Sequence, residues 1–128
     1  MSPRDHAETL LRKAAQDEYV LAKMLSDPNA PDEVIGFHAQ QAVEKILKAV
    51  LALRSVHYRR THNLTTLIDL LRDNGIVFPA ELDDVRRLRP FAIEMRYEEM
   101  PATGEEALDR EWVADRVSRT RAWVESLL

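Results

Sequence analysis

The segment Phe37–Leu53, FHAQQAVEKILKAVLAL, constrains the fold more than any other part of the chain. It holds no glycine or proline and is built almost wholly of good helix formers, which predicts one uninterrupted helix. At about 100° per residue, Ile35, Ala39, Ala42, Val43, Ile46, Ala49, Val50 and Leu53 share a face. Leu47 and Leu51 widen that face to nearly half the circumference. A surface helix needs less, so the segment reads as the central helix of a bundle. His38, Gln41, Lys45 and Lys48 form the opposite stripe, with Glu44 at its margin. Gln40 breaks the pattern by projecting beside Leu47 and Leu51. A buried amide without partners costs on the order of a few kcal/mol. Gln40 therefore marks either a polar network or a contact with another chain.

The flanking sequence supplies partners for such a helix. A first helix is expected over about Pro3–Leu25, with Ser2, Pro3 and Asp5 as its opening signal. The turn-forming run Ser26-Asp27-Pro28-Asn29-Ala30-Pro31 separates it from the central helix. Asp32 and Glu33 then place acids at the positive end of the second dipole, and that helix should stop around Arg54–Val56. A short third helix spans about Asn63–Asp73, capped by Asn63 or Thr61 and closed by Asn74-Gly75. A fourth is expected from Pro79 to about Tyr97, turning Leu82, Val85, Leu88, Ile93 and Met95 inward and kinked at Pro90. After Pro101-Ala102-Thr103-Gly104, a fifth runs from about Glu105 to Leu128. No segment alternates as a strand does, and no repeat is visible. The expected fold is all-α: an antiparallel up-and-down bundle of four long helices and one short helix, in a single domain over residues 1–128.

Composition narrows the function classes. With 45% hydrophobic and 31% charged residues, a packed soluble domain is expected rather than disorder. The first residues lack the apolar core of a signal peptide, and no window reaches membrane-span length, so the expected setting is the cytoplasm without membrane attachment. There are no cysteines, which removes disulfides and thiolate metal sites. A net charge of −4 argues against a general nucleic-acid coat. The charge is uneven, however. Arg54, Arg59 and Arg60 fall in a stretch with no acid, and Arg86, Arg87 and Arg89 form a second cluster offset by Asp83 and Asp84. Such local patches can bind phosphate on an acidic protein.

The four histidines, His6, His38, His57 and His62, never stand at helical ligand spacing with a carboxylate, so no metal site is expected. No glycine-rich phosphate loop or nucleophile motif occurs, which sets aside conventional kinase and hydrolase chemistry and calls for no cofactor.

One constellation remains: Phe37, then Gln41-Ala42-Val43-Glu44-Lys45, Leu47-Lys48-Ala49, Thr61-His62-Asn63-Leu64 and, far downstream, Met95-Arg96-Tyr97. It resembles the HEPN domain, a small helical bundle of prokaryotic defence and toxin–antitoxin systems, over nearly the whole chain. The resemblance implies a homodimer, a small nucleotidyltransferase as protein partner, and a nucleotide or RNA as ligand. Many members of that family are metal-independent ribonucleases, marked by an arginine followed, after four to six intervening residues, by a histidine. Arg96 holds the matching place, but Tyr97–Gly104 reads YEEMPATG, and no other arginine here has a histidine at that spacing. The usual catalytic pair is therefore not carried over.

What the resemblance does carry over is a set of ligand-binding candidates: Gln41, Glu44, Lys48, His62, Arg96 and Tyr97. Arg96 suits a bidentate phosphate contact, Lys48 adds point charge, and His62 can donate or accept one bond. Tyr97, and Tyr58 in the arginine-rich link, are candidate stacking rings. The alternative is a ribonuclease in which His62 or His57 replaces the missing histidine and works with Arg96. Against these stand plainer roles: a Glu44–Lys48 helix pair and a His62 that only assists a cap. The breadth of the second helix, with Trp112 and Trp123, suggests apolar surface left over for a second subunit.

Overall fold

A computed structural model describes residues 2–92 and 107–128. Among the described residues five helical elements follow one another: α1 (Pro3–Leu25), α2 (Asp32–Leu53), α3 (Leu64–Asp73), a 3₁₀ helix (Ala80–Phe91) and α4 (Arg110–Ser126). No strand occurs among the described residues. The chain is an all-α bundle.

The helix ends are set by local chemistry. Ser2 Oγ accepts from the Asp5 amide while Asp5 Oδ2 accepts from the Ser2 amide, both at 3.1 Å, a reciprocal capping box ahead of Pro3. Asn63, rather than Thr61, caps α3, its Oδ1 accepting from the Thr65 amide at 2.9 Å. Asp109 caps α4 through the Trp112 amide. That helix therefore begins at Arg110, later than a start near Glu105 would have it.

α2 is the axis of the molecule. It packs against α1, α3, the 3₁₀ helix and α4, and its apolar residues from Ile35 to Ala52 are almost all buried. Burial of this kind, at about 25 cal/mol per Å² of apolar surface, is the main stabilising term. Gly36 lets the 3₁₀ helix close in: a Cβ there would lie 2.4 Å from Phe91 Cδ1.

The fourth element departs from expectation. It winds as a 3₁₀ helix and ends at Phe91, one residue past Pro90. Its buried residues, Leu82, Val85, Leu88 and Phe91, recur every third position. That is the period of a 3₁₀ helix, in which side chains three apart eclipse on one face. Proline supplies no amide to extend the run. Ile93, Met95, Arg96 and Tyr97 lie outside the described residues.

Both tryptophans are engaged within the chain, and Trp123 differs from expectation. Trp123 is buried, donates from Nε1 to the Val77 carbonyl at 3.1 Å and meets Phe78 edge to face at 5.0 Å. Trp112 donates to Asp84 Oδ2 at 2.9 Å and lies under the Arg87 guanidinium. Trp123 is therefore not surplus apolar surface, while Trp112 stays partly exposed. No helix among the described residues is long and apolar enough to cross a membrane.

Candidate functional site

The site begins where α2 ends. Ser55 adopts a left-handed conformation (φ 57°), and the Val56 amide bonds back to the Leu51 carbonyl at 2.8 Å. This is the bond pattern that closes a helix through a left-handed residue. The chain then runs without helix from Val56 to Asn63, and brings His62 back alongside the third-last turn of α2.

There Glu44 is the hub. It is 3% exposed, yet three donors converge on its two oxygens. Gln40 Nε2 reaches Oε1 at 3.0 Å, Lys48 Nζ reaches Oε2 at 3.1 Å, and His62 Nδ1 lies 2.9 and 3.1 Å from the pair. Gln40, fully buried, spends its second N–H on the His62 carbonyl at 3.1 Å and accepts from Gln41 Nε2 at 2.7 Å. The misplaced amide of the sequence pattern is thus the keystone of a polar network. A buried carboxylate is tolerable when its lone pairs are filled in this way.

The geometry fixes the histidine. A carboxylate only accepts, so Nδ1 of His62 must carry a proton in either protonation state. Nε2 has no protein partner among the described residues, and the side chain is 31% exposed. A carboxylate-pinned imidazole with its second nitrogen outward can bind a ligand or move a proton.

Of the six ligand-binding candidates, Gln41, Glu44, Lys48 and His62 come together here, while Arg96 and Tyr97 lie outside the described residues. Around this network, Lys48 Nζ stands 5.9 Å from the centroid of Tyr58, whose hydroxyl lies 3.4 Å from His6 Nε2. Burial, and after it the Glu44 charge, pushes the Tyr58 hydroxyl above its ordinary pKa, so it stays a donor. His57 lies exposed in the link, without a carboxylate partner among the described residues.

Sequence reasoning missed a second constellation. Asp17 of α1 is buried between His38 Nδ1, at 3.1 Å, and Lys45 Nζ. The stripe on α2 was legible, but the acid that faces it comes from another helix with no local signal. Among the described residues no group of three or more His, Asp or Glu could hold a metal ion.

A family model described as HEPN domain matches residues 7–126. A protein of Methanocaldococcus jannaschii bearing the name "Putative toxin MJ1304" is 38% identical over 55 residues. That alignment covers 43% of this chain and 35% of the relative, so the chain spans about a third of the relative's length. No solved structure matches the chain.

Proposed function

The chain belongs to the HEPN domain family, and on that premise we propose that it is the HEPN half of a toxin–antitoxin-type pair. In this reading it is a homodimeric regulatory module that binds a nucleotide or RNA and is complexed by a small nucleotidyltransferase. The observation that carries the reading is the convergence of Gln40, Lys48 and His62 on buried Glu44, next to a link rich in arginine. The network presents an oriented imidazole and an ammonium to the surface, a combination suited to phosphate. Arg96 and Tyr97 complete the proposed ligand set as phosphate clamp and stacking ring. The toxin name of the relative supports the setting. Absence of the family's Arg–His spacing favours binding over cleavage.

Calorimetry of the purified protein against nucleotides, short RNAs and the product of any neighbouring nucleotidyltransferase gene tests the proposal. Saturable binding of a nucleotide or RNA that weakens in Lys48→Ala and His62→Ala is expected, with a solution mass of twice the chain. Silence toward every one of these probes overturns it.

One observation favours a second reading, a ribonuclease independent of metal. Glu44 fixes the His62 tautomer, which leaves Nε2 as the nitrogen to take a 2′-hydroxyl proton. The 2′ oxygen would attack phosphorus to close a 2′,3′-cyclic phosphate, the 5′ oxygen would leave and take a proton from water, and Arg96 would steady the charge. His57 has no such orienting carboxylate among the described residues, so His62 is the better base. Cleavage of total RNA in EDTA by the parent but not by His62→Ala would establish this reading. Equal cleavage by both, or by neither, rejects it.

A further inference from the structure

The link between α2 and α3 separates two surface grooves, and Tyr58 and His57 line both. The first, of about 550 Å³, lies against the first turn of α1, with Pro3, Ala52 and Val56 as apolar walls and His6 and Ser55 at its edges. The second, of about 390 Å³, lies against α3, floored by Leu67 and Leu70 and edged by Thr66 and Asp73. An apolar wall with a few hydrogen-bonding groups at its rim is what a flat heterocycle requires.

The ridge between them carries positive charge unpaired among the described residues, unlike several arginines of the helices. Arg72, Arg86, Arg110, Arg116 and Arg121 all hold carboxylates. Arg54, Arg59 and Arg60 are exposed and form no ion pair among the described residues. No acid lies between residues 54 and 62 to neutralise them. Cations left unpaired beside an aromatic ring are the ordinary apparatus for single-stranded nucleic acid, where phosphates follow the charge and bases stack on rings.

Resting on the RNA-binding reading above, we infer that this link is a single-strand RNA track: Arg54, Arg59 and Arg60 carry the backbone, while successive bases enter the two grooves on either side of Tyr58. The track is separate from the Glu44 network, though adjacent to it through Lys48. It also has a base preference. Asp69, at the edge of the second groove, is engaged by Arg86, whereas Asp73 has no ion pair among the described residues. A free carboxylate repels phosphate and accepts from an exocyclic amine, as carboxylates do toward cytosine N4. The second groove therefore takes an amino-bearing base in preference to uracil.

The test is fluorescence anisotropy with labelled oligocytidine and oligouridine RNA of eight nucleotides, titrated across a range of salt. Oligocytidine should bind more tightly than oligouridine, and Asp73→Asn should narrow that gap. Tyr58→Ala should weaken binding by about tenfold, as expected for loss of one stacked base. Arg59→Gln with Arg60→Gln changes two exposed side chains that form no ion pair among the described residues, so folding should be spared. It should lower the slope of log affinity against log salt by about 1.4, roughly 0.7 for each phosphate contact on a single strand. Binding that ignores Tyr58, Arg59 and Arg60 but fails in His62→Ala overturns the track and leaves the RNA reading standing. Parent protein that binds neither oligonucleotide at low salt overturns both.

Discussion

The missing side chain of Gly36 is filled by the ring of Phe91, three of whose atoms lie 2.4–2.6 Å from where a Cβ would stand. This contact seats the end of the 3₁₀ helix on the first turns of α2. Helix propensity alone favours alanine over glycine by about 0.5–1 kcal/mol. Overpacking against a buried ring costs about 1–3 kcal/mol, and the second effect should win. Gly36→Ala is expected to lose about 1–2 kcal/mol in urea unfolding, or roughly 4 °C in Tm per kcal/mol for a chain of this size. In a Phe91→Leu background the penalty should shrink or change sign. The same penalty in both backgrounds would mean that the ring is not its cause.

Two helices of this chain close with the same hydrogen-bond pattern but different residues. Gly75 has φ 74°, and Ile76 bonds back to the Leu71 carbonyl at 3.0 Å. At the end of α2, Ser55 occupies the equivalent position with φ 57°. Left-handed backbone costs a non-glycine residue about 1–2 kcal/mol, partly offset by the greater unfolded entropy of glycine. Ser55→Gly should therefore stabilise the protein by about 0.5 kcal/mol, while Gly75→Ala should lose about 1 kcal/mol. Thermal denaturation of the two variants settles the comparison, and a stabilising Gly75→Ala would contradict it.

Much of the fold was legible because it rests on local signals. The Ser2-Pro3-Asp5 opening placed the start of α1, and Asn74-Gly75 placed the end of α3. The breadth of the apolar face on α2 identified the central helix, and Gln40, standing among leucines, signalled either a polar network or a contact with another chain, of which the network is present. The period-three spacing from Leu82 to Phe91 was equally present, but three and 3.6 are hard to tell apart over so few turns. Asp17 illustrates the other limit. Its meeting with His38 and Lys45 depends on how α1 lies across α2, and no pattern within α1 encodes that. Trp123 misled for a related reason. A large apolar residue near the end of a chain looks like leftover surface until its partners, Val77 and Phe78, are known.

Acid stability should report on one carboxylate in particular. Asp84 of the 3₁₀ helix accepts from Arg116 Nε at 2.8 Å and from Trp112 Nε1 at 2.9 Å, joining that helix to α4. The Arg116 hydrogen bond, before any other cause, holds its carboxyl below the ordinary range. A lowered folded pKa adds stability that is complete above the unfolded value of about 4 and is lost as pH falls through the folded value. Asp84→Asn should thus be less stable than the parent at pH 7, by about 1 kcal/mol or less because the pair is partly solvated. The two should converge as pH drops below about 4. Urea midpoints measured from pH 7 to pH 2 would show the convergence, and a constant offset across that range would refute it.

The buried hub makes the sharpest demand on chemistry. Gln40, Lys48 and His62 each point a donor at Glu44, whose two carboxylate oxygens accept all of them. Glu44→Gln preserves size but turns one acceptor into a donor, and so sets an amide N–H against another N–H in a buried place. Lys48 can swing toward water, since it is partly exposed, but Gln40 cannot. Loss of about 2–3 kcal/mol is expected for Glu44→Gln, against about 1 kcal/mol for Lys48→Met, which leaves the carboxylate its other donors. The same change should be visible in the imidazole. Long-range proton–nitrogen NMR should find the His62 proton on Nδ1 in the parent and shifted toward Nε2 in Glu44→Gln. A parent His62 already protonated only on Nε2 would break the link between the carboxylate and the outward nitrogen, and with it the reason for assigning that nitrogen a role.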